Sequence, residues 1–281
     1  MIKYYKIGRL MLKIESSGCF QETEKIARFC CDAGESDYEI YVDFTSCLPD
    51  TVNSSLYETA DRVYLPENGV FCCYYKSREN GAGFYASREM QGNKINIAID
   101  EKYREMLRDD VIFSLVGIEE LVVENKGFIL HSSYVLWKDS AILFTGPCSI
   151  GKSTQAKLWE RHADAVVVNG DKTLIENIDG NFFASGLPFS GSSTDCLNVT
   201  APVKAIVCLD KGLNNTVTRI HPPHSFYSIY KNCYPVPFSE KLTGSLIDVV
   251  SLAGERIPVF DFICLPDASA VESLMNEILM L

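Results

Sequence analysis

The sequence predicts a mixed α/β protein in which a strand-rich N-terminal region precedes a core built around one glycine-rich loop. Three observations carry that expectation. The first is the run Gly146-Pro147-Cys148-Ser149-Ile150-Gly151-Lys152-Ser153-Thr154, which fits the phosphate-binding pattern G-x-x-x-x-G-K-[ST]. The second is its flanks: Ala141-Ile142-Leu143-Phe144-Thr145 is an apolar run of strand length, and residues 153–162 read as a helix whose positive N-terminus would face phosphates. The third is that only Lys138-Asp139-Ser140 separates that run from an earlier strand candidate at 127–137. So short a connection favours an antiparallel hairpin, whereas doubly wound nucleotide folds join parallel strands through crossover helices. A sheet of mixed direction follows.

Within the loop, Gly146 and Gly151 let the backbone turn its N–H groups inward around a polyphosphate. Lys152 adds a point charge, and the Ser153 hydroxyl is suited to Mg²⁺. All nine residues from Gly146 to Thr154 are therefore expected to contact a nucleotide. The motif alone names a nucleotide and leaves the reaction open.

A chain of 281 residues is long enough for one or two domains with a sizeable core, and its 47% apolar and 22% charged content is that of an ordinary globular protein. A net charge of −11 with no long basic run argues against a nucleic-acid or anionic-membrane surface, which needs clustered Lys and Arg. Lys3, Lys6, Arg9 and Lys13 interrupt the first 13 residues before a signal-like apolar core forms. No apolar run approaches the roughly 20 residues of a membrane span, so a cytoplasmic location is the default. Eleven cysteines include two adjacent pairs, Cys30-Cys31 and Cys72-Cys73, but no C-x-x-C, so buried reduced thiols are expected.

Taken in order, residues 1–101 form a β-rich domain with strand runs at 38–44, 62–65, 70–75 and 94–99. A helix is expected over 22–31 with Ile26, Phe29 and Cys30 on one face, and loops at 50–55 and 80–83. Residues 104–123 read as mostly helical, with Leu107, Val111, Leu115, Ile118 and Val122 on one side, and the domain boundary is placed near Lys102. The second domain, 102–281, continues after the loop helix with a buried strand at 165–169 and a turn at Asp179-Gly180-Asn181. A Gly/Pro-rich loop spans 186–191, and core strands are expected at 202–209 and 257–265. Helices are expected at 223–230 and 239–253, and a last one is capped by Asp267 with the stripe Val271, Leu274, Met275, Ile278 and Leu279. There is no internal repeat.

Asp171 ends the apolar run after the loop helix, where an acid would approach a metal or an acceptor hydroxyl. His131 lies inside the strand that leads into the hairpin, a position usually filled by a satisfied structural histidine. Lys204, Arg219 and Arg256 are available cations, and spacing selects none of them.

The order Leu130-His131-Ser132-Ser133, the loop, then Asn169-Gly170-Asp171 resembles HPr kinase/phosphorylase and, still more, the HPr-kinase-like relatives, over roughly the last two thirds of the chain. Gly186-Leu187-Pro188-Phe189-Ser190-Gly191 and Ala201-Pro202-Val203-Lys204-Ala205-Ile206-Val207 are similar to stretches of those relatives. The resemblance implies a phosphoenolpyruvate carboxykinase-like core that phosphorylates a serine hydroxyl with ATP and Mg²⁺. It also implies Asp171 as base, Lys152 as phosphate contact, Ser153 as metal ligand and His131 as an active-site neighbour with a catalytic part, while the position of Asp171 makes it a second metal-ligand candidate. Two departures stand beside it. HPr kinases carry two consecutive acids where this chain has Gly170-Asp171, and a further acid downstream has no counterpart between Asn181 and Gly191.

The expected function is an ATP-dependent kinase acting on a serine-type hydroxyl of a peptide or small protein, with a homo-oligomer compatible with the sequence. Two other readings remain: a nucleotide-binding regulator with impaired catalysis, and a small-molecule hydroxyl kinase.

Overall fold

Alternation of period two builds the N-terminal part of the chain. In Leu10–Ser16 each leucine or isoleucine turns inward while Met11, Lys13 and Glu15 turn outward. The computed structural model describes residues 1–48, 55, 57–67, 70–76, 83–191 and 193–281. It divides into two units, Met1–Ile118 with Pro237–Ser239, and Glu119–Val236 with Glu240–Leu281.

The strands of the first unit are β1 (Ile2–Ile7), β2 (Leu10–Ser16), β3 (Cys30–Cys31), β4 (Tyr38–Thr45), β5 (Tyr57–Glu58), β6 (Arg62–Glu67), β7 (Val70–Lys76), β8 (Phe84–Gln91) and β9 (Lys94–Asp100). They form one sheet in the order β3-β1-β2-β4-β9-β8-β7-β6-β5. β4 runs parallel to both β2 and β9, and the remaining pairs are antiparallel. Lys6 of β1 and Lys13 of β2 occupy outer positions that alternate with buried neighbours, whereas Lys3 shares the face of Tyr5 and Ile7 and pairs with Glu22.

Several local expectations are corrected. The helix expected over 22–31 shrinks to α1 (Glu24–Ala27), and Cys30 and Cys31 pair instead with Tyr5 and Tyr4 of β1. Ile26 and Phe29 are buried as expected, but Cys30 is exposed, because edge pairing takes over its backbone. The single helix expected over 104–123 is a 3₁₀ turn (Glu101–Met106) followed by α2 (Asp109–Val116) and α3 (Ile118–Glu124). Gly117 separates the two α-helices in the left-handed conformation, φ 75° and ψ 47°, which a residue without Cβ adopts at a helix end without penalty. The eleven cysteines form no disulfide, but only four of them are buried: Cys72, Cys73, Cys196 and Cys208. The loops expected at 50–55 and 80–83 lie almost wholly outside the described residues.

The second unit contains β10 (Gly127–Trp137), β11 (Ser140–Thr145), α4 (Lys152–His162), β12 (Val166–Asn169), β13 (Lys172–Ile178), β14 (Asn181–Ser185), β15 (Thr200–Lys211), β16 (Thr216–Ile220), α5 (His224–Tyr230), α6 (Glu240–Arg256), β17 (Val259–Cys264) and α7 (Ala268–Leu279). Its sheet runs β11-β10-β13-β14-β15-β17-β16, with β12 also on β10 and β11 also on β15. The β10–β11 hairpin is antiparallel, with register from Ser132↔Thr145 to Trp137↔Ser140, and both turn residues, Lys138 and Asp139, have positive φ. β11 is parallel to β15, so this sheet too is mixed.

Trp159 anchors α4 to that sheet. It is fully buried, edge-on to Trp137 at 5.3 Å and 6.1 Å from Phe144. Val271, Leu274 and Ile278 of α7 join the same core, whereas Leu279, expected in that stripe, is 57% exposed. Val166 at the start of the expected buried strand is also exposed. Among the described residues no helix is long and apolar enough to cross a membrane.

Candidate active site

Leaving β11 at Thr145, the chain reaches Gly146 at φ 140°, then Ser149 at φ 62° and Gly151 at φ 120°. A Cβ on Gly146 would lie 3.3 Å from both Ile150 Cγ2 and Leu209 O, so both conformation and space select glycine there. Gly151 precedes α4 without any side-chain cap, which leaves the helix's first-turn N–H groups open to an anion. Ile150 packs against the core and pins the loop from beneath. The buried Lys152 curls back over the loop, its Nζ donating to Gly146 O and Pro147 O at 3.0 Å each. Burial holds its pKa below the ordinary lysine value.

Opposite the loop, β12 and β13 behave as one strand along β10. The pairs Asn169↔Tyr134 and Lys172↔His131 keep a common register across Gly170 and Asp171. Asp171 therefore sits in the bend just after β12 ends, as expected, and is held against β10 between the two strands. Its carbonyl accepts from Ser132 N at 3.1 Å and sits 3.1 Å from His131 Nδ1. A carbonyl oxygen only accepts, so that contact assigns the proton to Nδ1. The Asp171 carboxylate is 3.5 Å from the same nitrogen. Burial and the neighbouring Lys152 charge hold the His131 pKa below its ordinary value, so the imidazole is neutral at neutral pH.

Asn169 is the residue that sets this wall, and sequence reading assigned it no role. Fully buried, it accepts from Asp171 N at 2.9 Å and Lys172 N at 3.0 Å, and donates to Leu187 O at 2.9 Å and Phe189 O at 3.0 Å. One side chain thus fixes the strand turn and clamps the Gly/Pro-rich loop beside it. The only local signal is a polar residue closing the apolar run Val166-Val167-Val168. Gly170 O accepts from Ser133 Oγ at 2.9 Å and Ser153 Oγ at 3.3 Å, tying the loop helix to the acid-bearing strand.

These pieces line one cleft of 590 Å³. The glycine-rich loop supplies Cys148, Ser149, Gly151, Lys152, Ser153 and Thr154, and the far side supplies His131, Gly170 and Asp171. Gly146, Pro147 and Ile150 shape the loop from behind and do not line the cleft. Lys204, Arg219 and Arg256 do not line it either; the cation that does, besides Lys152, is Lys157, one turn further along α4. Lys157 pairs with Asp195 at 3.1 Å, and Asp195 also lines the cleft. Asp195, in a Ser/Thr stretch with no motif to reveal it, thus brings a second carboxylate to the cleft. The glycine at position 170 also has a steric reason, since a Cβ there would fall 2.5 Å from Ser193 Oγ.

No family model and no curated protein matches this chain. Among solved structures it is similar to the Hpr(Ser) kinase/phosphatase from Coxiella burnetii, at 14% identity over 54% of this chain and 96% of that one, with a TM-score of 0.35. So loose a superposition assigns no function. The chemistry must come from the residues themselves.

ATP and Mg²⁺ can be tested against those residues. Open N–H groups at a helix start, a desolvated lysine and two positive-φ glycines fit a polyphosphate. For a cation the fit is thinner: among the described residues no cluster of three or more His, Cys, Asp or Glu side chains is arranged around a metal. Ser153 Oγ and the Asp171 carboxylate face the same cleft, enough for an ion that keeps most of its ligands as phosphate oxygens and water.

Proposed function

We propose that this protein is an ATP- and Mg²⁺-dependent kinase with a phosphoenolpyruvate carboxykinase-like core, transferring the γ-phosphoryl group to a serine-type hydroxyl on a peptide or small protein. The observation that carries the reading is the meeting, in one cleft, of a phosphate-type loop and a strand-borne carboxylate with its own histidine partner. Mg²⁺, when bound, neutralises charge on the moving phosphoryl group.

The chain's own part is positioning. Lys152 exchanges its two loop carbonyls for phosphate oxygens, and the uncapped first turn of α4 adds N–H donors. Ser153 Oγ gives its hydrogen to Gly170 O, which leaves its lone pairs for the cation. Asp171 accepts the hydrogen bond of the incoming hydroxyl and aligns it with the phosphoryl group, taking its proton as the new P–O bond forms and the bond to the leaving ADP breaks. The neutral His131, bonded through Nδ1 to the Asp171 carbonyl, keeps that residue in place.

The test is incubation with ATP, Mg²⁺ and pools of serine-containing peptides, read as phosphopeptide by mass spectrometry, with free serine and sugar alcohols in parallel. Phosphopeptide supports the reading. Turnover on the small alcohols alone would make it a small-molecule kinase, and ATP binding without any transfer would make it a nucleotide-dependent regulator.

A further inference from the structure

Lys172 follows Asp171 and faces His131 directly across the β10–β13 ladder. Residues directly opposite in an antiparallel pair project from the same sheet face, so Lys172 stands beside His131, next to the residues that line the cleft without being one of them. Its ammonium is held 4.5 Å from the centre of the Tyr234 ring and 5.8 Å from that of Phe189. Tyr234 in turn stands edge-on to His131 at 6.5 Å. The ammonium is close enough for its charge to act on the imidazole. Among the described residues it has no carboxylate partner, unlike Lys157, which is paired with Glu160 and Asp195.

A half-buried cation fixed between two aromatic faces is partly desolvated and already ordered. Both features strengthen its attraction for an anion that arrives beside it. The phosphates are served from the loop side by Lys152 and α4, whereas Lys172 stands on the Asp171 side, where the hydroxyl must enter. We infer that Lys172 reads a carboxylate on the acceptor close to the reacting hydroxyl, so that the preferred acceptor is an acidic serine-bearing peptide. The inference rests on the kinase reading and adds the acceptor's charge to it. An acidic side chain beside the serine and a free terminal carboxylate offer the same chemistry.

The experiment uses four sets of synthetic peptides with one serine: flanked by Asp, flanked by Lys, ending in a free carboxylate next to the serine, and the same ending amidated. Turnover with ATP and Mg²⁺ is compared with retention of the peptides on the protein held with a non-hydrolysable ATP analogue. The expected result is about tenfold higher kcat/KM, mainly through KM, for carboxylate-bearing peptides, with whichever of the two carboxylate sets leads naming the source. Lys172→Ala should erase the preference and Lys172→Glu should invert it, with affinity for the ATP analogue unchanged in both. Equal turnover of acidic and amidated neutral peptides, or a preference surviving Lys172→Ala, overturns the inference and leaves the kinase reading standing. Lys172-dependent retention without turnover supports the acceptor charge and sinks the kinase. Neither turnover nor retention overturns both.

Discussion

The two walls of the cleft are built by different means. The loop wall is continuous in sequence: strand, Gly146 to Thr154, then helix, each part fixed by its own local chemistry. The opposite wall is assembled from β10, from β12 and β13 with the bend between them, and from residues 186–191 and 193–195, held together by Asn169 and by bonds to Gly170 O. A wall written locally can be read from a motif, whereas one made by cross-strand pairing shows only its isolated members. Loss of function at the first wall should therefore come from removing a single charge, and at the second either from removing the Asp171 carboxylate or from loosening the scaffold that places it.

The largest effect expected is at the loop. Lys152→Ala removes the one buried cation of the phosphate wall and should lower transfer by about 10³-fold, measured as phosphopeptide formed per unit time, with the thermal midpoint little changed. An active Lys152→Ala protein would mean that the loop is structural. Next comes the helix anchor: Trp159→Ala should cost about 3–5 kcal/mol in denaturant unfolding, because that ring fills the space between Trp137 and Phe144. A loss below 1 kcal/mol would show that α4 is held chiefly elsewhere.

For the opposite wall, Asn169→Ala strips partners from two backbone N–H groups and two carbonyls. The expected cost is about 1–3 kcal/mol, accompanied by faster hydrogen exchange at Asp171 and Lys172. Unchanged exchange at those amides would contradict the clamp. The smallest effect is at His131. Its pKa is lower folded than the ordinary 6.5, so the unfolded chain takes up the proton first and stability falls as pH drops below about 6.5. With the ring partly solvent-exposed the slope should be shallow, and a His131→Gln protein should flatten it between pH 7 and pH 5.

How much of this was legible follows the same division. The β10–β11 hairpin, the loop and α4 could be read because each signal is local: a three-residue connection, two glycines with positive φ and a helical period. Asp171 and His131 could be singled out one at a time, but their 3.5 Å approach depends on strand register. Lys157 and Asp195 carry no motif, and only the fold brings them to the cleft, while Asn169, equally without a motif, holds the strand and loop behind it. The same reason explains the errors in the first unit, where β1 captured Cys30 and Cys31 from an expected helix and Gly117 split another. Local helix propensity lost there to edge pairing and to a left-handed glycine.

The most direct test of the central claim, one cleft with a phosphate wall and an acceptor wall, is Asp171→Asn assayed for both functions in one preparation. The account predicts ATP-analogue affinity within about twofold of the parent and phosphoryl transfer lowered by about 10²–10³-fold. Transfer at the parent rate, or ATP-analogue binding lost together with transfer, would contradict it.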